Sequence, residues 1–246
     1  MPIVKIISQN LDHKLANHQR RLYDFLNIVR DHLPHIVCVQ EVSRDVVEKL
    51  LTEMRVLGYT IICADDANMR DTFEVTFSKL DMIRSEYVKY KNSTQGRGYI
   101  RTLFKVHDNN NVAHALHIIN TQMDDPNSTL GCKNDQVKQV TIIPMFNMPY
   151  KLAGTILAGD TGIAEYLSSS VKHPDDWYDA WYECGNNEER YTINCDTNPI
   201  APPGIKERPD RVWTKDCTVE EYKIIRATGA NMISRHYGIY VEVSYC

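Results

Sequence analysis

Two spacings alternate along the chain. Between Asn17 and His32 the apolar residues Leu22, Phe25, Leu26 and Val29 fall three and four apart, the period of a helix with one buried face. Asn17 stands where an N-cap belongs, and Pro34 stops the helix. Short apolar runs flank it, at residues 2–8 and across Ile36-Val37-Cys38-Val39, and these read as buried strands. A second helix is predicted from Ser43 through Met54 and another strand across Tyr59-Thr60-Ile61-Ile62, giving the order β-α-β-α-β. Further strands are expected at 73–78, 99–106, 114–120, 155–158, 211–213 and 237–244, and a helix at 133–146. Asn109-Asn110-Asn111 carries the turn chemistry of a hairpin between two of these strands. The stretch 184–209, rich in Asn, Pro and Gly, predicts a long ordered loop. Tyr178, Trp181 and Tyr182 read as one side of an amphipathic helix packed on a sheet, with a sticky patch for a protein partner as the alternative.

Composition narrows the setting. A chain of 246 residues can bury a sizeable core as one α/β unit, so residues 1–246 are expected to form a single domain. Hydrophobic residues at 43% and charged residues at 24% exclude a disordered or membrane-embedded chain. No apolar run approaches a membrane span, and "MPIVKIISQN" lacks the basic region and long apolar core of a secretory signal. An intracellular location, cytoplasmic or nuclear, is therefore expected. Seven cysteines with no CxxC pair argue against a disulfide framework, and Cys38 and Cys63 read as small core residues. The formal net charge of −4 gives no global attraction to nucleic acid, so a phosphate-bearing partner must meet a local basic patch.

Candidate chemistry gathers at the ends of the apolar runs. Asn10 and Asp12 follow the first, Glu41 the second, Gln122 follows "LHIIN" and Asp160 follows "TILAG"; Asp210 precedes "RVW" and His236 precedes "YGIYVEV". Strand ends converge on one edge of a folded sheet, which is how residues far apart in sequence build one site. Each residue alone has a plainer use: Asn10 as a turn cap, Glu41 at a helix start, His236 as a satisfied core histidine.

Taken in order and spacing, "QNLD" at 9–12, "VQEV" at 39–42, "LAGDT" at 157–161, "PDRVW" at 209–213 and "SRHYGI" at 234–239 resemble the motifs of the endonuclease/exonuclease/phosphatase superfamily, nearest its tyrosyl-DNA phosphodiesterase 2 branch. "IRTLF" at 100–104 and "RYTINCDT" at 190–197 are weaker echoes of that branch. The resemblance spans essentially the whole chain. It implies an α/β DNase I-like four-layer sandwich, two packed mixed β-sheets flanked by helices. It also implies a hydrolase of the DNA-repair kind, a Mg²⁺-dependent phosphodiesterase with Mn²⁺ as a substitute, acting on a nucleic-acid end or a phosphotyrosyl-type adduct. Under it Glu41 is the main metal ligand, helped by Asn10 and, through water, by Asp12. Asp160 positions or activates the nucleophile, His236 donates to the phosphate, and Asp210 orients that histidine and favours its charged form. Arg101, Gln122 and Arg235 are the implied substrate contacts.

Departures from the pattern are equally specific. Gly162 stands where the superfamily places an asparagine, Arg235 where it places an aspartate, and Gln122 where a histidine ends the strand. Ile193 and Asn194 fall where a tryptophan would sit. Losing one preorganised donor to a transition-state oxyanion costs about 2.7–4 kcal/mol. A slow or specialised phosphodiesterase is thus the leading expectation. A pseudoenzyme that binds nucleic acid or a protein partner without turnover stays open, as does a structural protein built on this scaffold.

Overall fold

The computed structural model describes residues 1–63, 70–125, 127–142, 150–171, 173–226 and 232–245. Fourteen strands and four α-helices follow one another among them: β1 (Ile3–Asn10), α1 (His18–His32), β2 (Ile36–Ser43), α2 (Arg44–Val56), β3 (Thr60–Cys63), β4 (Thr72–Ser78), β5 (Asp81–Lys89), β6 (Gly98–His107), β7 (Ala113–Gln122), α3 (Leu130–Thr141), β8 (Leu152–Asp160), β9 (Tyr178–Asp179), α4 (Ala180–Cys184), β10 (Ile193–Asn194), β11 (Lys206–Glu207), β12 (Asp210–Lys215), β13 (Thr218–Ile225) and β14 (Gly238–Ser244). They form two six-stranded sheets, ordered β13-β14-β1-β2-β4-β3 and β5-β6-β7-β8-β12-β9, and a short β10-β11 ladder.

The unbroken apolar strands are explained by layers on both faces. In β2, Ile36 and Cys38 point into the core between the sheets, while Val37 and Val39 point outward beneath α1 and α2. Ile6 and Ile7 split the same way in β1. Helix α1 lays Leu22, Phe25, Leu26 and Val29 on that outer face. The second sheet repeats the scheme: Ile118 and Ile156 face inward, whereas Ile119 and Leu157 meet Val137 and Val140 of α3. The layer order is helices, sheet, sheet, helix, the expected four-layer sandwich.

Each sheet contains one parallel pair, β1 with β2 and β7 with β8, and antiparallel neighbours elsewhere. The carboxyl ends of these pairs lie at the same edge. A polar pin crosses the apolar core just behind it: Gln40 Nε2 donates to Asn120 Oδ1 at 2.8 Å, and Asn120 Nδ2 donates to Val75 O at 3.0 Å and to Thr76 Oγ1 at 3.1 Å.

Some sequence expectations are corrected. Asn17 is the residue before α1 but sits in the left-handed region (φ 61°) and makes no side-chain cap bond. The helix expected at 133–146 begins earlier, at Leu130, because Thr129 accepts a hydrogen bond from Cys132 N at 3.2 Å; residues 143–149 lie outside the described ones. Tyr178 belongs to β9 and α4 is a single short turn, so the amphipathic helix shrinks; Trp181 packs on the core while Tyr178 and Tyr182 are exposed. Strands β5 and β13 carry no apolar run, because edge strand β5 is largely solvent-facing and β13 mixes apolar with charged residues. The six described cysteines are free, as expected, with Cys38 buried and Cys63 partly so.

Candidate active site

Backbone register assembles the site. Asn10 ends β1 beside Gln40, Gln122 ends β7 opposite Asp160 at the end of β8, and Asp210 opens β12 opposite that same Asp160. His236 lies just ahead of β14, which pairs antiparallel with β1. Glu41 departs from regular strand geometry: it sits at φ 54° within a register shift between β2 and β4 spanning Val39 to Val42. A non-glycine residue held there carries about 1–3 kcal/mol of strain, and a bulge of this kind re-aims a side chain. Here it turns Glu41 into a cleft of about 330 Å³ that Gln122, Asp160, Arg235 and His236 also line.

One half of this cleft is an acid–base constellation. His236 Nδ1 lies 2.8 Å from Asp210 Oδ2, and Thr192 Oγ1 donates to that same oxygen at 2.7 Å. Burial opposes charge on His236, but Asp210, with Asp160 and Glu41 behind it, outweighs burial and pushes the imidazolium up to about 10. Asp160 accepts from Gly162 N at 2.8 Å and from Asn10 Nδ2 at 2.9 Å. Burial, then the neighbouring charge of Asp210, raises its carboxyl against the pull of His236.

The other half is crowded with protein cations and amide donors. Glu41 Oε2 lies 2.6 Å from His13 Nδ1, and Glu41 Oε1 accepts from Gln122 Nε2 at 2.7 Å with Arg97 at 3.8 Å. Burial opposes the charge on Glu41, yet His13 and Arg97 hold its carboxyl down at about 2. Asp12, itself at φ 49°, is forked by Arg235, whose Nε donates to Oδ2 and whose Nη2 donates to Oδ1 at 2.8 Å.

A divalent cation asks for free carboxylate oxygens. Asp160, Asp210 and His236 bring ligand-type atoms within 4.8 Å of one another, an acidic cluster of the kind that can hold a metal ion. The expected ligands Glu41 and Asp12 do not fit one as they stand, since all four of their oxygens already accept from protein N–H groups. His236 is no open ligand at Nδ1 either, because it shares a proton there with Asp210.

Of the remaining sequence-implied contacts, Gln122 and Arg235 reach the cleft, but each bonds a carboxylate of the protein. Arg101 does not reach it: its Nε donates to Glu86 Oε1 at 2.5 Å across β5 and β6. Four participants were not singled out from sequence: His13, Arg97, Thr192 and Lys133. Thr192 sits inside the quoted "RYTINCDT" stretch, while His13 directly follows "QNLD". Lys133 is fully buried on α3, donating to Asp124 O and, at 3.0 Å, to Thr161 O. Burial lowers its ammonium to about 8 although Asp160 and Asp124 favour the charge. It also accounts for Gly162: a Cβ there, at φ 54°, would overlap Asp124 O and lie 2.5 Å from Lys133 Nζ. The space beside the Asp160 turn is occupied from behind by the lysine.

The chain has the DNase I-like fold, the fold of endonuclease/exonuclease/phosphatase proteins. Within that class the fold is near TDP2. It is similar to TDP2 of D. rerio complexed with a single-strand DNA product (TM-score 0.82, 18% identity, covering 99% of this chain and 100% of that one). Truncated TDP2 of Caenorhabditis elegans superimposes at 0.79 with 19% identity, covering 98% and 97% of the two chains. An endonuclease/exonuclease/phosphatase protein of Bacteroides vulgatus gives 0.78 with 16% identity over 100% of both. No protein-family model matches the chain, and no curated protein is similar to it in sequence. Among the described residues, no helix is long and apolar enough to cross a membrane.

Proposed function

We propose that this chain is a slow phosphodiesterase that seats the end of a nucleic acid, or a phosphotyrosyl-type adduct, in the cleft at the edge of the two sheets. The observation that carries this reading is that Asp160 and His236 line that cleft together, each held from behind by a buried partner, Asn10 for Asp160 and Asp210 for His236. Asp160, oriented by Asn10 and the Gly162 amide, holds a water and accepts its proton as the water oxygen attacks phosphorus and the ester P–O bond breaks. The departing oxygen takes a proton from solvent. His236, kept charged by Asp210, donates to a non-bridging phosphate oxygen; one such donor is worth about 2.7–4 kcal/mol in the transition state. Ile193, Pro202 and Pro209 add an apolar lining to the cleft that suits the flat ring of a base or tyrosyl group. An intracellular setting and a role at DNA ends accompany this proposal.

A second reading, binding without turnover, is favoured by one observation: the oxygens of the carboxylates expected to hold a metal are already occupied by His13, Gln122 and Arg235. Both are tested by offering a 5′-phosphotyrosyl oligonucleotide, plain single-stranded DNA and RNA, and a bis-aryl phosphodiester, each with Mg²⁺, with Mn²⁺ and with EDTA. Weak turnover lost in Asp160→Asn and His236→Gln supports the first reading. Binding with no turnover on any substrate supports the second.

A further inference from the structure

The half of the cleft that holds Glu41 and Asp12 carries its own cations. Arg235 spends Nε and Nη2 on Asp12, which leaves Nη1 with no acceptor among the described residues, and its side chain is 33% exposed at the cleft. Arg97 makes a 3.8 Å ion pair with Glu41 through Nη2 and a long 3.4 Å bond from Nε to Gln95, so its Nη1 is likewise uncommitted there. His236 lines the same hollow and offers Nε2, its Nδ1 being held by Asp210. The acidic groups on this side are satisfied before any ligand arrives. What remains to greet a ligand is a set of cationic N–H donors around a hollow of about 330 Å³. Guanidinium groups match phosphate oxygens in both charge and geometry.

We infer that Arg235, braced on Asp12 and sharing the cleft with Arg97, is a resident cation that binds a terminal phosphate group directly, in the place where the resemblance puts a divalent ion. This rests on the proposal above that the cleft takes phosphate esters, and it deepens that proposal by making phosphate recognition independent of metal. Asp12 is then the anchor of the arginine and not a metal ligand. Its burial, at 1% exposed, matches an ion-pair partner. The chemistry recognised is a phosphate dianion, which a nucleic-acid end and free inorganic phosphate share.

The test compares binding of a 5′-phosphorylated single-stranded oligonucleotide, its 5′-hydroxyl counterpart and inorganic phosphate to the full chain, each in EDTA and in Mg²⁺. Charge-assisted hydrogen bonds of about 1.5–3 kcal/mol correspond to a roughly ten- to hundredfold preference for the 5′-phosphate, equal in both buffers. Arg235→Gln and, separately, Arg97→Gln should each erase about tenfold of that preference, so the result does not hang on one variant's folding. Competition by inorganic phosphate alone at the same concentrations would overturn the assignment to strand ends. Mn²⁺ titration followed by electron paramagnetic resonance gives a readout without any oligonucleotide. Arg235→Ala, which bares Asp12, should bind Mn²⁺ more tightly than the unmodified protein, since the Asp160, Asp210 and His236 cluster is common to both. A 5′-phosphate preference that appears only with Mg²⁺, or a Mn²⁺ affinity unchanged by Arg235→Ala, overturns the resident-cation site while leaving the phosphate-ester cleft standing. No preference for phosphate in either buffer overturns both.

Discussion

The two halves of the cleft are built on different backbone, and they have kept different things. Asn10, Asp160 and Asp210 stand at regular strand ends, locked by ladder register, and hydrogen bonds join Asn10 to Asp160 and His236 to Asp210. Asp12 and Glu41 stand at left-handed kinks, φ 49° and 54°, and their partners His13, Arg97 and Arg235 come from the segments between elements. Position on a ladder fixes the backbone from which a carboxylate springs, and for Asp160 the bonds from Asn10 and the Gly162 amide complete the aim. A kinked carboxylate is aimed by the donors around it, so a few substitutions in loops suffice to change what it can hold.

The comparison can be broken most severely on the ladder side. Asp210→Ala leaves the His236 imidazolium buried without its partner, a loss of about 3–5 kcal/mol. Urea melts should show it, and an NMR titration should find His236 moving down from about 10. An unchanged titration would mean that Asp210 does not hold the charge. Next comes Gly162→Asn, which restores the superfamily's amide but meets Asp124 O and Lys133 Nζ, an overpacking cost of up to about 3 kcal/mol. Adding Lys133→Ala should return part of that stability, and a double-mutant cycle measures the coupling. If Gly162→Asn alone is as stable as the parent, the lysine is not what fills the space.

Smaller effects belong to the kinked side. Gln122→Ala removes one donor from Glu41 but leaves His13 in place, so about 1.5 kcal/mol is expected from chemical melts. The least conspicuous signature is the shape of stability against pH. Glu41 is depressed from 4.5 to about 2, so its contribution is complete above 4.5 and disappears as pH falls through about 2. His236 is raised from 6.5 to about 10, so its contribution is complete below 6.5 and disappears as pH rises through about 10. Lys133, lowered from 10.5 to about 8, works the other way: the penalty on its charge is relieved between about 8 and 10.5, partly masking the loss from His236. Glu41→Gln should flatten the acid limb only. Lys133→Met should steepen the alkaline one.

The chain displayed most of its fold openly, because strands covered on both faces read as continuous apolar runs and α1 and α2 carry clean helical spacing. Edge strand β5 and alternating β13 were hidden by their charged solvent faces. The site was legible to the same degree as its backbone. Residues at strand ends could be named from the runs that precede them, but nothing local in "GCKND" marks Lys133 as buried beneath the Asp160 turn. Arg235 was visible as a substitution, but its capture of Asp12, 223 positions away in the chain, depends on tertiary packing. Arg101 fits a motif, yet Glu86 on the neighbouring strand claims it.

The pin between Gln40 and Asn120 has a mechanical consequence. Asn10 and Glu41 ride on one sheet, and Gln122, Asp160 and Asp210 ride on the other. Apolar packing between two such sheets is close but non-directional, so it singles out no particular pair of partners across the core. Two interlocked amides near the rim act as a dowel, so the jaws of the cleft are held in alignment by residues that never touch what they grip.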